Sequence, residues 1–200
     1  MKTLKNLLLQ YLAVAFILSN AAIAEQVDPQ VALIHSVIGN LSSDWKNLEN
    51  NESSGTCDLN QSDALASVLK ELIQEDEKPE PRLAKRLQVA EGYQHGQSPA
   101  KIAIAVDTCD PMMAGWIKKA HSDEEAKTKF LAKGGEVRVI AGLPAIGVPN
   151  DIGLSLLVIV SERALVQFIL ADSTDPKLLK QAVDSVNWNK LEEIIKKEEK

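Results

Sequence analysis

Two apolar runs separated by three residues place the tightest constraint on how this chain can fold. Residues 154–160 (LSLLVIV) and 164–170 (ALVQFIL) are interrupted only by Ser155 and Gln167, and the link between them is Ser161-Glu162-Arg163. Each run is short and rich in branched side chains, which points to a strand. A strand with one wet face alternates apolar and polar residues, whereas a run apolar at nearly every position is covered on both faces. The two runs are therefore expected to pair as a central antiparallel hairpin over about 154–170, with helices above and below.

The flanking segments carry helix punctuation. Asp28-Pro29 offers an N-cap followed by proline at the first helical position. Val31, Ile34, Ile38, Leu41, Trp45 and Leu48 then recur at steps of three and four, the spacing of one helical stripe. Gly39 within that stripe implies a close neighbour or a bend. A polar loop over 49–61 is expected next, followed by a helix capped by Ser62 with Leu65, Val68, Leu69 and Leu72 inward. The charged, proline-bearing segment 75–81 (EDEKPEP) ends it. A third helix is expected over 82–90 with Leu83, Leu87 and Ala90 inward, and a loop over 92–96. Residues 101–106 (KIAIAV) fit a strand or a helix, and Ser98-Pro99 as a start favours a helix over 99–108. Asp110-Pro111 opens a further helix. Ser122 and Glu125 form a capping box for the next one, which stops at Gly134-Gly135. Residues 136–141 (EVRVIA) predict a strand, Asp175-Pro176 opens a helix, and a last helix spans about 189–197. The expected fold class is α+β: N-terminal helices, then a small antiparallel β-sheet around the hairpin at 154–170, with C-terminal helices packed on it. A single domain over 25–200 is expected, helical over about 28–134 and sheet-containing over about 135–200.

The first 24 residues have the three parts of a secretory signal: Lys2 and Lys5, an apolar stretch over 7–18, and Ala22-Ile23-Ala24 ahead of the cut. The stretch is shorter than the roughly 20 apolar residues a spanning helix needs. The expectation is cleavage after Ala24, no stable membrane anchor, and a periplasmic or extracellular location. Loss of Lys2 and Lys5 from 22 basic residues leaves 20 against 28 acidic ones, a net charge of −8. Such a chain is ill suited to nucleic acid or anionic lipid, both of which attract clustered Lys and Arg. In an oxidising compartment the two cysteines, Cys57 and Cys109, are expected to form a disulfide rather than a metal or redox site.

The remaining chemistry is sparse. His35 lies beside the apolar stripe of the first helix, His95 in a polar loop, and His121 ahead of a cap; they share no metal-ligand spacing, and neither metal nor cofactor is expected. Gly153-Leu154-Ser155-Leu156-Leu157 lacks the closing glycine of a nucleophile elbow. Asn40, Asn51 and Asn60 begin glycosylation tripeptides, which are without meaning if the source is bacterial, as the short two-lysine signal hints. No residue is singled out as catalytic. The segment 142–153 (GLPAIGVPNDIG) is unusual, an apolar loop rich in Gly and Pro, and Leu143, Ile146 and Val148 are its candidate binding anchors. The expected function is an exported, non-enzymatic binding protein for a protein partner or a small apolar ligand. The alternatives are an exported hydrolase with scattered catalytic groups, or a structural envelope component.

Overall fold

A computed structural model describes residues 28–59 and 83–198. The signal-like segment, the helix expected after Ser62 and the charged segment 75–81 lie outside the described residues. Within them the chain runs α1 (Pro29–Ile38), β1 (Trp45–Asp58), β2 (Leu83–His95), β3 (Lys101–Asp107), α2 (Pro111–Ser122), α3 (Glu124–Leu131), β4 (Glu136–Ile140), β5 (Leu143–Asn150), β6 (Gly153–Ile159), β7 (Leu165–Ala171), α4 (Pro176–Ser185) and α5 (Trp188–Glu198). The seven strands form one antiparallel sheet in the order β1-β2-β3-β7-β6-β5-β4.

The fold is α+β, but the expected layout of N-terminal helices followed by a small sheet is wrong. The sheet dominates, and three of its strands fall within the stretch expected to be helical, about 28–134. The first helix stops at Ile38 instead of running on through Leu48, and Trp45 opens a strand of 14 residues. From Leu83 on, the third expected helix (82–90) and most of the loop expected at 92–96 form one strand, β2 (Leu83–His95). Residues 101–107, favoured as helix, are β3: Ile102, Ile104 and Val106 are buried and their neighbours are not, which is period two. Helical spacing in these segments was coincidental, because pairing across the sheet satisfies backbone groups that no local signal reveals.

Local punctuation was more reliable. Asp28, Asp110 and Asp175 each cap a helix with proline at its start, their carboxylates accepting from the peptide N–H of Gln30, Met113 and Lys177. The cap of α3 is Asp123, one residue beyond the expected Ser122. The apolar runs form β6 and β7, and β7 is the middle strand. Between β4 and β5, Ala141 and Gly142 both have positive φ (51° and 85°), the requirement of a two-residue hairpin turn whose twist matches its strands.

The two faces bury separate cores. On the first, Leu87, Val89, Ile102, Ile104, Leu156, Val158, Val166, Phe168 and Leu170 meet α1, α4 and α5. On the second, Ile146, Leu157, Ile159 and Leu165 meet Ala114, Ile117 and Ala120 of α2. Gln167 also lies within the sheet, 7 % exposed, and its Nε2 has no hydrogen-bond partner. A buried amide left unpaired costs about 1–3 kcal/mol. Gln167→Met, close in volume and free of polar donors, should therefore raise the unfolding free energy by about 1 kcal/mol, read from urea denaturation.

The disulfide is formed between Cys57 and Cys109, whose Cα atoms are 6.5 Å apart. It ties the far end of the edge strand β1 to the link between β3 and α2. Among the described residues no helix is long and apolar enough to cross a membrane.

Candidate functional site

His95 stacks edge-on against Trp45, with ring centroids 5.0 Å apart, and its Nδ1 accepts from the Gln97 peptide N–H at 3.3 Å and lies 3.0 Å from Ser98 Oγ. It closes the β2–β3 turn. His121 Nε2 is 2.9 Å from the Ala145 carbonyl oxygen and 3.2 Å from its peptide nitrogen, so either tautomer has a partner on β5. His35 reaches from α1 to Glu91 of β2 (Nδ1 to Oε1, 2.7 Å) and to Glu52 of β1 (Nε2 to Oε2, 3.2 Å). All three rings thus join elements of the fold.

The sequence-derived anchors are not an exposed loop. Leu143, Ile146 and Val148 lie in β5. Ile146 is buried beneath α2, Val148 is partly buried, and Leu143 packs against the other core, on the opposite side of the sheet from Ile146. Proline and glycine signalled a loop, yet Pro144 and Pro149 are accommodated within the strand. The three side chains therefore do not form one contact surface.

Of the three, Ile146 supports α2 from beneath, and this helix is held at its start, along its inner face and at its far end. At its start Asp110 Oδ1 accepts from the Met113 N–H at 3.0 Å, and the Asp110 N–H donates to the Arg163 carbonyl at 2.7 Å. Burial pushes the Asp110 carboxyl above the usual range and neighbouring Asp107 adds to this, against the pull of the cap bond. Asp107 itself accepts from Arg86 Nη2 (2.7 Å), Gln88 Nε2 (2.8 Å) and the Cys109 peptide N–H (2.8 Å), beside the disulfide. Underneath, Ala114, Ile117 and Ala120 lie on Ile146, Leu157, Ile159 and Leu165. His121 pins the far end.

The outer face of this immobilised helix carries Met112 and Trp116, one turn apart and 50 % and 56 % exposed. The other two tryptophans are tucked in: Trp45 Nε1 donates to Gln181 Oε1 at 2.9 Å, and Trp188 Nε1 to the Val183 carbonyl at 3.1 Å. Trp116 is the exception. Lys119 continues its stripe at the next turn, and Lys118 beside it pairs with Glu162 at 3.4 Å. Sequence patterning does not reveal this face, because two large side chains on the polar side of a helix leave no period in the sequence. Among the described residues no group of His, Cys, Asp and Glu could hold a metal ion. Comparison with protein-family models, curated proteins and solved structures found no match.

Proposed function

We propose that this is an exported, non-enzymatic binding protein, acting in the periplasm or outside the cell after cleavage behind Ala24, and that it docks a protein partner on the outer face of α2. The observation that carries this reading is Met112 and Trp116 side by side on a helix held rigid from below and at both ends. Large apolar and aromatic anchors presented without conformational freedom keep more of their contact energy on association. Residues 111–133 hold Lys118, Lys119, Lys127, Lys129 and Lys133 against Asp123, Glu124 and Glu125, a local net charge of +2 in a chain that carries −8 once Lys2 and Lys5 are removed. The occupant that fits is a protein with an apolar pocket edged by carboxylates, steered by opposite charge.

The test starts with capture from the native compartment, identification of the captured protein, and titration of that protein against purified variants. Met112→Ser together with Trp116→Ser should bind it about 30-fold more weakly, the loss expected when central anchors are truncated. Because both side chains are already exposed, the thermal midpoint should hardly move. Equal affinity in the folded double variant would remove α2 as the docking face.

A further inference from the structure

We infer that His35 is a proton-dependent latch that clamps the edge strand β1 to helix α1. The inference rests on donor counting. The two ring nitrogens face two carboxylates, Nδ1 lying 2.7 Å from Glu91 Oε1 and Nε2 3.2 Å from Glu52 Oε2. With both glutamates ionised their oxygens can only accept, and a neutral imidazole carries a single N–H, so both bonds then exist together only when the ring is doubly protonated. The two arms are unequal. Glu91 is 5 % exposed and sits on the core face of β2 between Val89 and Tyr93, where an unpaired charge is costly, whereas Glu52 is on the outer strand and well exposed.

The buried arm is fixed by its surroundings. Glu91 Oε2 also takes the Tyr93 hydroxyl, which lies 2.9 Å from the Gly39 carbonyl oxygen at the end of α1. Burial, then the bond to Glu91 and the charge of Glu91, raise the Tyr93 phenol far above its ordinary value, so it remains a donor. A Cβ at residue 39 would collide with the Glu91 carboxylate and the Tyr93 hydroxyl, which explains the glycine where α1 ends. On α1, Asp28 is paired with Lys85 of β2 at 2.9 Å, and that pairing holds its carboxyl below the usual range. From α5, packed on α1, Leu191, Ile194 and Ile195 enter the shared core, and β3 places Ile104 opposite Glu91.

The direction follows. When the ring loses one proton, the single remaining N–H stays with Glu91, because abandoning a buried carboxylate costs more than releasing an exposed one. Glu52 is then let go, and the middle of β1 loses its bond to α1, while β2 remains its sheet neighbour and Trp45 at its start still donates to Gln181 of α4. The clamp is present while the ring is doubly protonated and is lost as pH rises through its titration.

Hydrogen exchange of the full chain across the histidine titration, corrected for intrinsic exchange, tests this, together with nitrogen NMR of the ring. The wild-type ring should show both nitrogens protonated at the acidic end. Protection of the peptide N–H groups around Glu52 should fall about tenfold as the second proton leaves. In Glu52→Gln, whose amide can either accept from or donate to Nε2, that fall should disappear. Parallel loss of protection in wild type and Glu52→Gln would overturn the latch, as would a ring with one protonated nitrogen throughout the range. His35→Gln adds a second check, since its β1 protection should be insensitive to pH over the same range.

Discussion

Replacing Cys57 and Cys109 together with serine should lower the unfolding free energy by about 4 kcal/mol. The two residues are 52 apart in the chain, and a crosslink closing a loop of that size removes about this much entropy from the unfolded ensemble. The site in the fold sharpens the expectation. Cys57 sits near the end of an edge strand that has β2 as its one partner in the sheet, while Cys109 directly precedes Asp110, the cap of α2. Without the bridge, β1 should fray first, and the start of α2 should lose part of the restraint on its outer face. Urea denaturation of the Ser/Ser variant, and of wild type under reducing conditions, gives the loss. The slope against urea should also rise, because an uncrosslinked chain exposes more surface when it unfolds. A difference under 1 kcal/mol with unchanged slope would mean that the bridge does not restrict the unfolded chain.

Phe168→Ala should cost about 3–5 kcal/mol. Phe168 is fully buried in the middle strand, in register with Ile104 on one side and Leu156 on the other. Its ring lies 6.0 Å from that of Trp188, which opens α5. Truncation therefore opens a cavity where three strands and a helix meet and none can close it alone, the situation in which the cavity contribution is largest. Phe168→Leu keeps most of the volume and should cost about 1.5 kcal/mol. Thermal and urea denaturation of both variants separate the two. Near-equal losses would show that shape at this position matters more than volume.

How much could be read in advance depended on how local the cause was. Asp28-Pro29, Asp110-Pro111 and Asp175-Pro176 signal helix starts because cap and proline act within one turn. The runs that became β6 and β7 were legible because both their faces are covered. β2 was not, and the reason is chemical. Leu87, Val89 and Tyr93 alternate onto the core face, but the place between them belongs to Glu91, so the period-two signal is broken by the residue that His35 and Tyr93 hold. β1 was hidden for a different reason. Its segment ENNESSGT has few strand-forming residues and becomes a strand because β2 offers it a ladder. The Gly/Pro-rich stretch that became β5 looked like a loop because proline signals breaks, although it sits between two partner strands.

The chain alone determined what acts over a few residues or through bulk composition: helix starts at Asp-Pro, the doubly covered hairpin, an acidic balance, and two cysteines with each other as the partner to expect. Only the tertiary structure decided that strands outnumber the early helices, that Ile146 supports α2 from beneath, that Met112 and Trp116 face outward, and that His35 sits between Glu52 and Glu91. Each of these depends on contacts between residues distant in the chain, such as His35 and Glu91, 56 positions apart. Pairing energy of that kind belongs to the assembled sheet and leaves no mark on either segment taken separately.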